Sequence, residues 1–296
     1  MSWLLLAFFS MLAKSAQNFF EKKSQNQSGA FLTFFLMIVI SSVVVLPFVL
    51  FTPIPIVNLS FWIGILGSVV IYMLAKPMRL FAIGTGDLSE IIPLISLSSL
   101  FSLIFGWLFL KEVPNSWGII GVSLVAVGGY MMNFDMTQVG FINKVIHPVR
   151  FAFSNKTQTF LYLSLLLGPI TSVFDKFAIN NTFPKSPSFA LIMENLFIIP
   201  LLIPVLFARK ISVEKLKYFP NWKVPLLLGL TFGISNILNF LAISVGNIGY
   251  VAAIRQLSSL ISVLMGYFIL KEGKLGRCLL SAIVMGIGAF LVGYLG

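Results

Sequence analysis

Eight ionisable residues stand inside long apolar runs of this chain: Lys14, Lys76, Arg79, Glu90, Asp175, Lys176, Glu194 and Arg255. A charge at membrane depth costs roughly 2.5–3.5 kcal/mol on insertion scales, so such residues face a partner or a polar cavity. Five are cations and three are acids, a set that suits recognition of a charged solute, with a carboxyl free to bind an ammonium group or carry a proton. No arrangement for catalysis is visible at depth: no Ser/His or Cys/His combination, no paired carboxylates and no metal-ligand spacing. The chain therefore does not read as an enzyme, and no metal or cofactor is expected. The one histidine, His147, sits beside Pro148 in a polar segment, and the one cysteine, Cys278, excludes an internal disulfide. Gly84-Thr85-Gly86-Asp87 reads as a tight turn between helices rather than a phosphate cradle, because no strand precedes it.

At ~1.5 Å rise per residue, Lys14, Glu194 and Arg255 fall within roughly 6 Å of the midpoints of their runs, whereas Glu90 and Lys176 lie nearer the ends. Two readings stand for the deep three: lining of a cavity, or a structural ion pair such as Arg255 with Glu194. For Lys76, Arg79 and Lys176 the alternative is snorkelling to the headgroup layer. Gln17, Asn18, Asn195 and Gln256 add amides beside these charges. Arg255, Ser259, Ser262 and Gly266 form one stripe at i, i+4, i+7 and i+11, a spacing that small residues also use for close helix packing. Pro77, Pro93, Gly168-Pro169, Pro200 and Pro204 are candidate kinks or hinges, and Gly229-x-x-x-Gly233 is expected to pack within the chain.

The elements that position these residues follow from composition. Of 296 residues, 58% are hydrophobic and 10% charged, and mean hydropathy is +1.00, which no soluble fold could cover. Apolar runs of crossing length lie near 3–20, 30–51, 61–83, 88–110, 114–132, 159–181, 188–207, 222–244, 248–270 and 274–295. None alternates apolar with polar residues, so a membrane barrel is excluded. The first run, without a basic n-region or cleavage site, reads as a helix of the mature protein. The net charge of +11 resides mainly in the connections and reports topology, not nucleic acid.

Internal repetition organises the ten runs. Leu97-Ser98-Ser99-Leu100 through Gly106 to Leu110-Lys111-Glu112 matches Leu257-Ser258-Ser259-Leu260 through Gly266 to Leu270-Lys271-Glu272, with nine of sixteen positions identical and no gap. The same offset of 160 pairs Ala82 with Ala242, Gly86 with Gly246, Asp87 with Asn247 and Gly128 with Gly288. It also sets Lys76 and Arg79 against Asn236 and Asn239, and Ile95 against Arg255. Phe20-Glu21-Lys22 is echoed by Phe174-Asp175-Lys176 at an offset of 154. Five runs separate equivalent points; five is odd, so the second copy runs through the bilayer inverted. The reading is an all-α membrane protein of ten transmembrane helices in a 5+5 inverted repeat: residues 1–132, a connecting loop 133–158, and residues 159–296. Thirteen Lys and Arg in the connections on one side, against two on the side of the termini, would put the termini away from the cytoplasm.

The fourth run of each half ends in Leu-Lys-Glu, at Lys111-Glu112 and Lys271-Glu272, before a Gly-rich fifth containing Gly118, Gly121 and Gly128 or Gly276, Gly286 and Gly288. In this the chain resembles the EamA-like branch of the drug/metabolite transporter superfamily over nearly its whole length. The resemblance implies a monomeric secondary carrier, often an exporter of amino acids or other metabolites, with a central cavity between the first four helices of each half. It also implies termini in the cytoplasm, opposite to the charge count, and a prokaryotic plasma membrane.

The expected function is secondary transport of a small polar metabolite, amino acid or organic anion, by alternating access around a mid-membrane cavity, with a proton or counter-substrate as possible coupling partner. The expected binding residues are Lys14, Gln17, Asn18, Lys76, Arg79, Glu194, Asn195, Asn236, Asn239, Arg255 and Ser259. Cation excess points to an anionic or zwitterionic cargo. The other class that fits is a flippase or scramblase passing a phosphate headgroup along the same cationic groove.

Overall fold

The computed structural model describes residues 3–85, 91, 94–132, 156–209, 221–270 and 278–296. Glu90, Gly86, Asp87, Pro93, His147, Lys271, Glu272, Gly276 and residues 133–155 of the connecting loop lie outside the described residues.

The architecture is helical, because in hydrocarbon each backbone N–H and C=O must be satisfied within the chain. The helices are α1 (Trp3–Leu50), α2 (Leu59–Thr85), α3 (Ser98–Leu110), α4 (Ser116–Met131), α5 (Lys156–Asn180), α6 (Pro187–Ala208), α7 (Lys223–Val245), α8 (Ile248–Gln256), α9 (Ser258–Met265) and α10 (Cys278–Phe290). α9 and α10 each continue in a short π-helical turn, Gly266–Leu270 and Leu291–Leu295. Two-residue strands β1 (Ile56–Val57) and β2 (Thr182–Phe183) pair antiparallel, an element the sequence reading lacks. Six helical stretches are long and apolar enough to cross a bilayer, counting α1 once and Ile248–Ile269 once; three shorter apolar helices accompany them. The molecule is an integral, multi-pass membrane protein.

α1 is two helices joined at Gly29, whose φ of +74° and ψ of 171° leave the helical region. Ser24 and Thr33 would stand about 13 Å apart along one straight helix. Their hydroxyls are instead 3.2 Å apart, so the chain folds back at Gly29. Both arms meet α7: Ser10 Oγ donates to the Ser235 carbonyl at 2.7 Å, and Gly229 and Gly233 pack against Ile40 and Val44. The Gly229-x-x-x-Gly233 motif thus serves intramolecular packing.

The ninth run is also not one helix. It breaks at Leu257, between α8 and α9, two residues past Arg255. Asparagine caps set two helix starts: Asn115 Oδ1 accepts from Gly118 N–H at 2.7 Å, and Asn247 Oδ1 from Gly249 N–H at 2.9 Å.

Beyond α1 with α7, the most extensive packings join α2 with α5 and α4 with α10; α1 also packs on α2 and α6, and α3 on α5 and α8. Between α4 and α10, a Cβ at Gly121 would lie 2.7 Å from the Gly288 carbonyl oxygen, and one at Gly288 2.6 Å from that of Gly121. The residues near Trp3, Gly246, Tyr250, Asn115 and Leu295 share one end of the bundle, the near face: Trp3 stacks toward Tyr250, and Asn115 Nδ2 donates to the Leu295 carbonyl at 2.6 Å.

Replacing Gly121 or Gly288 with alanine should lower stability by about 1–3 kcal/mol, the usual cost of overpacking. Thermal unfolding in detergent micelles checks this, with Gly168→Ala, where no neighbour lies within 4 Å, as the mild comparison.

Candidate functional site

One cavity of about 170 Å³ lies between α1, α2, α3, α5, α6, α7 and α8. A water takes roughly 10–15 Å³ on this measure, so the space holds on the order of ten waters or one small solute. On α2 the lining runs through Tyr72, Ala75, Lys76 and Arg79, and on α5 from Ser164 to Asp175. On α2 this stretch leads from mid-helix and on α5 it spans the middle, so the cavity reaches the helix centres. Pro169 leaves the Leu165 carbonyl without its helical donor, and both residues are on the wall, along with Gly168.

The structure brings together seven of the residues expected at the site: Lys14, Lys76, Arg79, Glu194, Asn236, Asn239 and Arg255 all line this cavity. Asn236 and Asn239 stand at the repeat positions of Lys76 and Arg79, as the sequence register requires. Gln17, Asn18, Asn195 and Ser259 are buried behind the wall. Gln17 Nε2 donates to Glu21 Oε1 at 2.6 Å, and Asn18 accepts from Arg79 Nη2 at 2.8 Å while donating to Ser262 Oγ at 3.0 Å. Asn195 Nδ2 donates to Ser41 Oγ at 3.1 Å, and Ser259 Oγ donates to the Gln256 carbonyl at 2.7 Å. These four hold the scaffold around the cavity.

Two features were not seen from sequence. The first is Glu21, fully buried at 0% exposure. Lys76 Nζ donates to its Oε1 at 2.5 Å, and Arg79 Nη2 stands 3.6 Å from Oε2. Lys76 also lies over the Phe232 ring at 5.2 Å, so neither cation snorkels. The second is a carboxyl pair. Glu194 does not join Arg255: Ser68 Oγ lies 2.8 Å from Glu194 Oε1 and 2.5 Å from Asp175 Oδ1. The alternative of an Arg255–Glu194 ion pair is thus set aside in favour of the cavity-lining reading, and the expectation of no paired carboxylates is corrected. Arg255 is turned instead to α7, donating from Nη2 to Ser235 Oγ at 3.3 Å. The signal that could have found both acids was the echo of Phe20-Glu21-Lys22 by Phe174-Asp175-Lys176, which sets Glu21 and Asp175 at equivalent places.

The site's electrostatics follow. Four cations line the wall, and one carboxylate, Glu21, sits behind Lys76 and Arg79. Among the described residues Lys14 and Arg255 have no ion-pair partner, and the buried Nε atoms of Arg79 and Arg255 bond to nothing. A guanidinium carries five N–H donors in a fixed fork. The wall thus presents spare cationic donors, the chemistry of an anion-accepting surface. Gln256 Nε2 donates to Ser98 Oγ at 2.7 Å and ties α8 to the start of α3 beside these donors.

At the near face α3, α5 and α8 are clamped together. Lys176 on α5 pairs with Glu112, at the Leu-Lys-Glu ending of α3, and donates to the Gly246 carbonyl at 2.6 Å. Glu112 Oε2 also accepts from the Ile248 N–H at 2.9 Å. Gly106 fits against Ile248, and Gly249 against the Leu103 Cα, which brings α3 and α8 close enough for this contact.

A bundle of membrane-length helices that encloses a charged cavity in mid-bundle has the form of a solute carrier. Residues 1–134 match the model of the EamA-like transporter family, a match consistent with the drug/metabolite transporter superfamily. A solved structure described as "Crystal structure of protein" superposes with a TM-score of 0.71 over 99% of this chain and 96% of its own, at 14% identity, a likeness of fold. The comparison with curated proteins finds no match.

Glu21→Gln should cost about 3–5 kcal/mol, since it leaves Lys76 buried without its counter-charge. Adding Lys76→Met should recover much of that loss. A double-mutant cycle on thermal unfolding measures the coupling, and additive losses would show that the two do not act as a pair.

Proposed function

We propose that the chain is a secondary transporter of a small anionic or zwitterionic metabolite, working by alternating access of two inverted five-helix halves. The observation that carries the reading is the cation excess of the cavity, where Lys14 and Arg255 have no acidic partner among the described residues. In this reading Arg255, Arg79 and Lys14 take the anionic group, and Asn236 and Asn239 bond a second polar group of the same solute. Arg255 stands where the first half has Ile95, so it distinguishes the halves and would set specificity.

The inverted repeat is supported by how the helices pair. In this reading α1 counts as two spans and α8–α9 as one, for ten crossings in all. The first and eighth then pack together, as do their repeat counterparts, the third and sixth; the fourth meets the ninth and the fifth meets the tenth. A pseudo-two-fold axis in the membrane plane produces this set of pairs. The Glu112–Lys176–Gly246 clamp closes the near face, so the transport cycle must break it to expose the cavity there. Export is the direction we favour from the family.

A thermal-shift screen of amino acids, organic acids and sugar phosphates on the purified protein should find anions that raise its unfolding temperature, as any ligand of the folded state does. In proteoliposomes, Arg255→Gln should weaken the apparent affinity for that anion at least tenfold, about 1.4 kcal/mol. Undiminished flux in the variant would remove Arg255 from the site.

A further inference from the structure

We propose that Asp175, Ser68 and Glu194 form a proton-binding site on the cavity wall, holding one exchangeable proton between the two carboxyl groups. The proposal concerns the proton alone and stands whichever solute the cavity takes.

The case is a count of hydrogens. Ser68 Oγ meets Asp175 Oδ1 at 2.5 Å and Glu194 Oε1 at 2.8 Å, both hydrogen-bond distances. A hydroxyl owns one hydrogen, and an ionised carboxylate owns none. Two oxygen–oxygen contacts at this length need two hydrogens, so the second belongs to a carboxyl group. Ser68 donates to one carboxylate and accepts from the other, a carboxylic acid. Both contacts are direct, so no water stands between the oxygens to supply the second hydrogen, and the three side chains are nearly covered, Ser68 at 0%, Asp175 at 6% and Glu194 at 5% exposure.

The charged surroundings do not replace that proton. On α2, Tyr72 shares the cavity, and Lys76 and Arg79 are turned to Glu21. Lys14 on α1 and Arg255 on α8 line the same space without reaching ion-pair distance of either acid. Lys176, next to Asp175 in sequence, is directed to Glu112 and the Gly246 carbonyl. Among the described residues the two acids therefore have no cation in contact, and the shared proton is what lets them lie together.

The location suits an exchangeable proton rather than a fixed structural one. Asp175 and Glu194 both line the cavity, so a proton can leave to water there. Release breaks one carboxyl O–H bond, leaves its electron pair on the carboxylate and passes the proton to cavity water. Two carboxylates then face one hydroxyl hydrogen, and their repulsion acts between α5 and α6. That force arises one residue from Lys176, the α5 cation of the near-face clamp. Proton release thereby bears on the contact that a transport cycle must open.

Infrared difference spectroscopy on the full chain in lipid nanodiscs reads the carboxylic-acid carbonyl band directly. Wild type should show one protonated carboxyl at neutral pH that shifts on exchange into D2O and vanishes as pH rises. Either Glu194→Gln or Asp175→Asn should abolish it, because each amide supplies the N–H that Ser68 needs in place of the acid hydrogen. The proposal is overturned by absence of the band in wild type at neutral pH, by failure to exchange in D2O, or by persistence of the band in whichever variant folds. Loss of anion flux with the band intact would count against the anion reading and leave the proton site standing.

Discussion

The cost of holding charge in a low-dielectric interior governs this molecule. An isolated ion at membrane depth is expensive, and the chain keeps one carboxylate, Glu21, at 0% exposure because Lys76 bonds it directly and Arg79 stands close by. That cluster fixes α1 against α2, and through Asn18 it also reaches Ser262 on α9. Residues that neutralise one another build the wall; residues that do not, above all Arg255 and Lys14, are left facing the cavity. The buried charges are thus divided by which of them find partners.

The same constraint is met differently at positions that the sequence repeat makes equivalent. Glu21 and Asp175 are the middle residues of the matching triplets Phe20-Glu21-Lys22 and Phe174-Asp175-Lys176. In the first half the acid is matched by cations; in the second it is matched by another acid through one hydroxyl. Lys76 and Arg79 likewise correspond to the neutral Asn236 and Asn239. The sequence repeat thus carries an unlike lining, cationic at Lys76 and Arg79 and neutral at Asn236 and Asn239, while Gly121 and Gly288 let α4 and α10 pack closely.

Much of the fold was legible in the sequence for a simple reason: hydrocarbon forces apolar residues into helices, so their length and spacing report crossings. The described helices follow the predicted runs closely, as with Lys156–Asn180, Pro187–Ala208 and Lys223–Val245. Two departures have local causes. Gly29, in a left-handed backbone conformation, lets helix continue almost unbroken through the first reversal, and Leu257 interrupts the ninth run beside Arg255. Depth could also be estimated by counting, which is why seven of the expected residues reached the cavity wall.

By itself the sequence determined that the protein lies in a membrane, that its helices repeat, and which buried residues carry charge, because those properties depend on composition and linear spacing. Only the tertiary structure decided which charge meets which. Residues such as Ser68 and Glu194, or Glu112 and Lys176, lie far apart along the chain, and nothing in local periodicity specifies rotation about helix axes or the partner across a gap. Composition and spacing place Glu194 at the cavity but leave its partner Ser68 unspecified, and they give no sign that Glu21 meets Lys76. A charge's role depends on what stands within a few ångströms of it, and packing sets that distance.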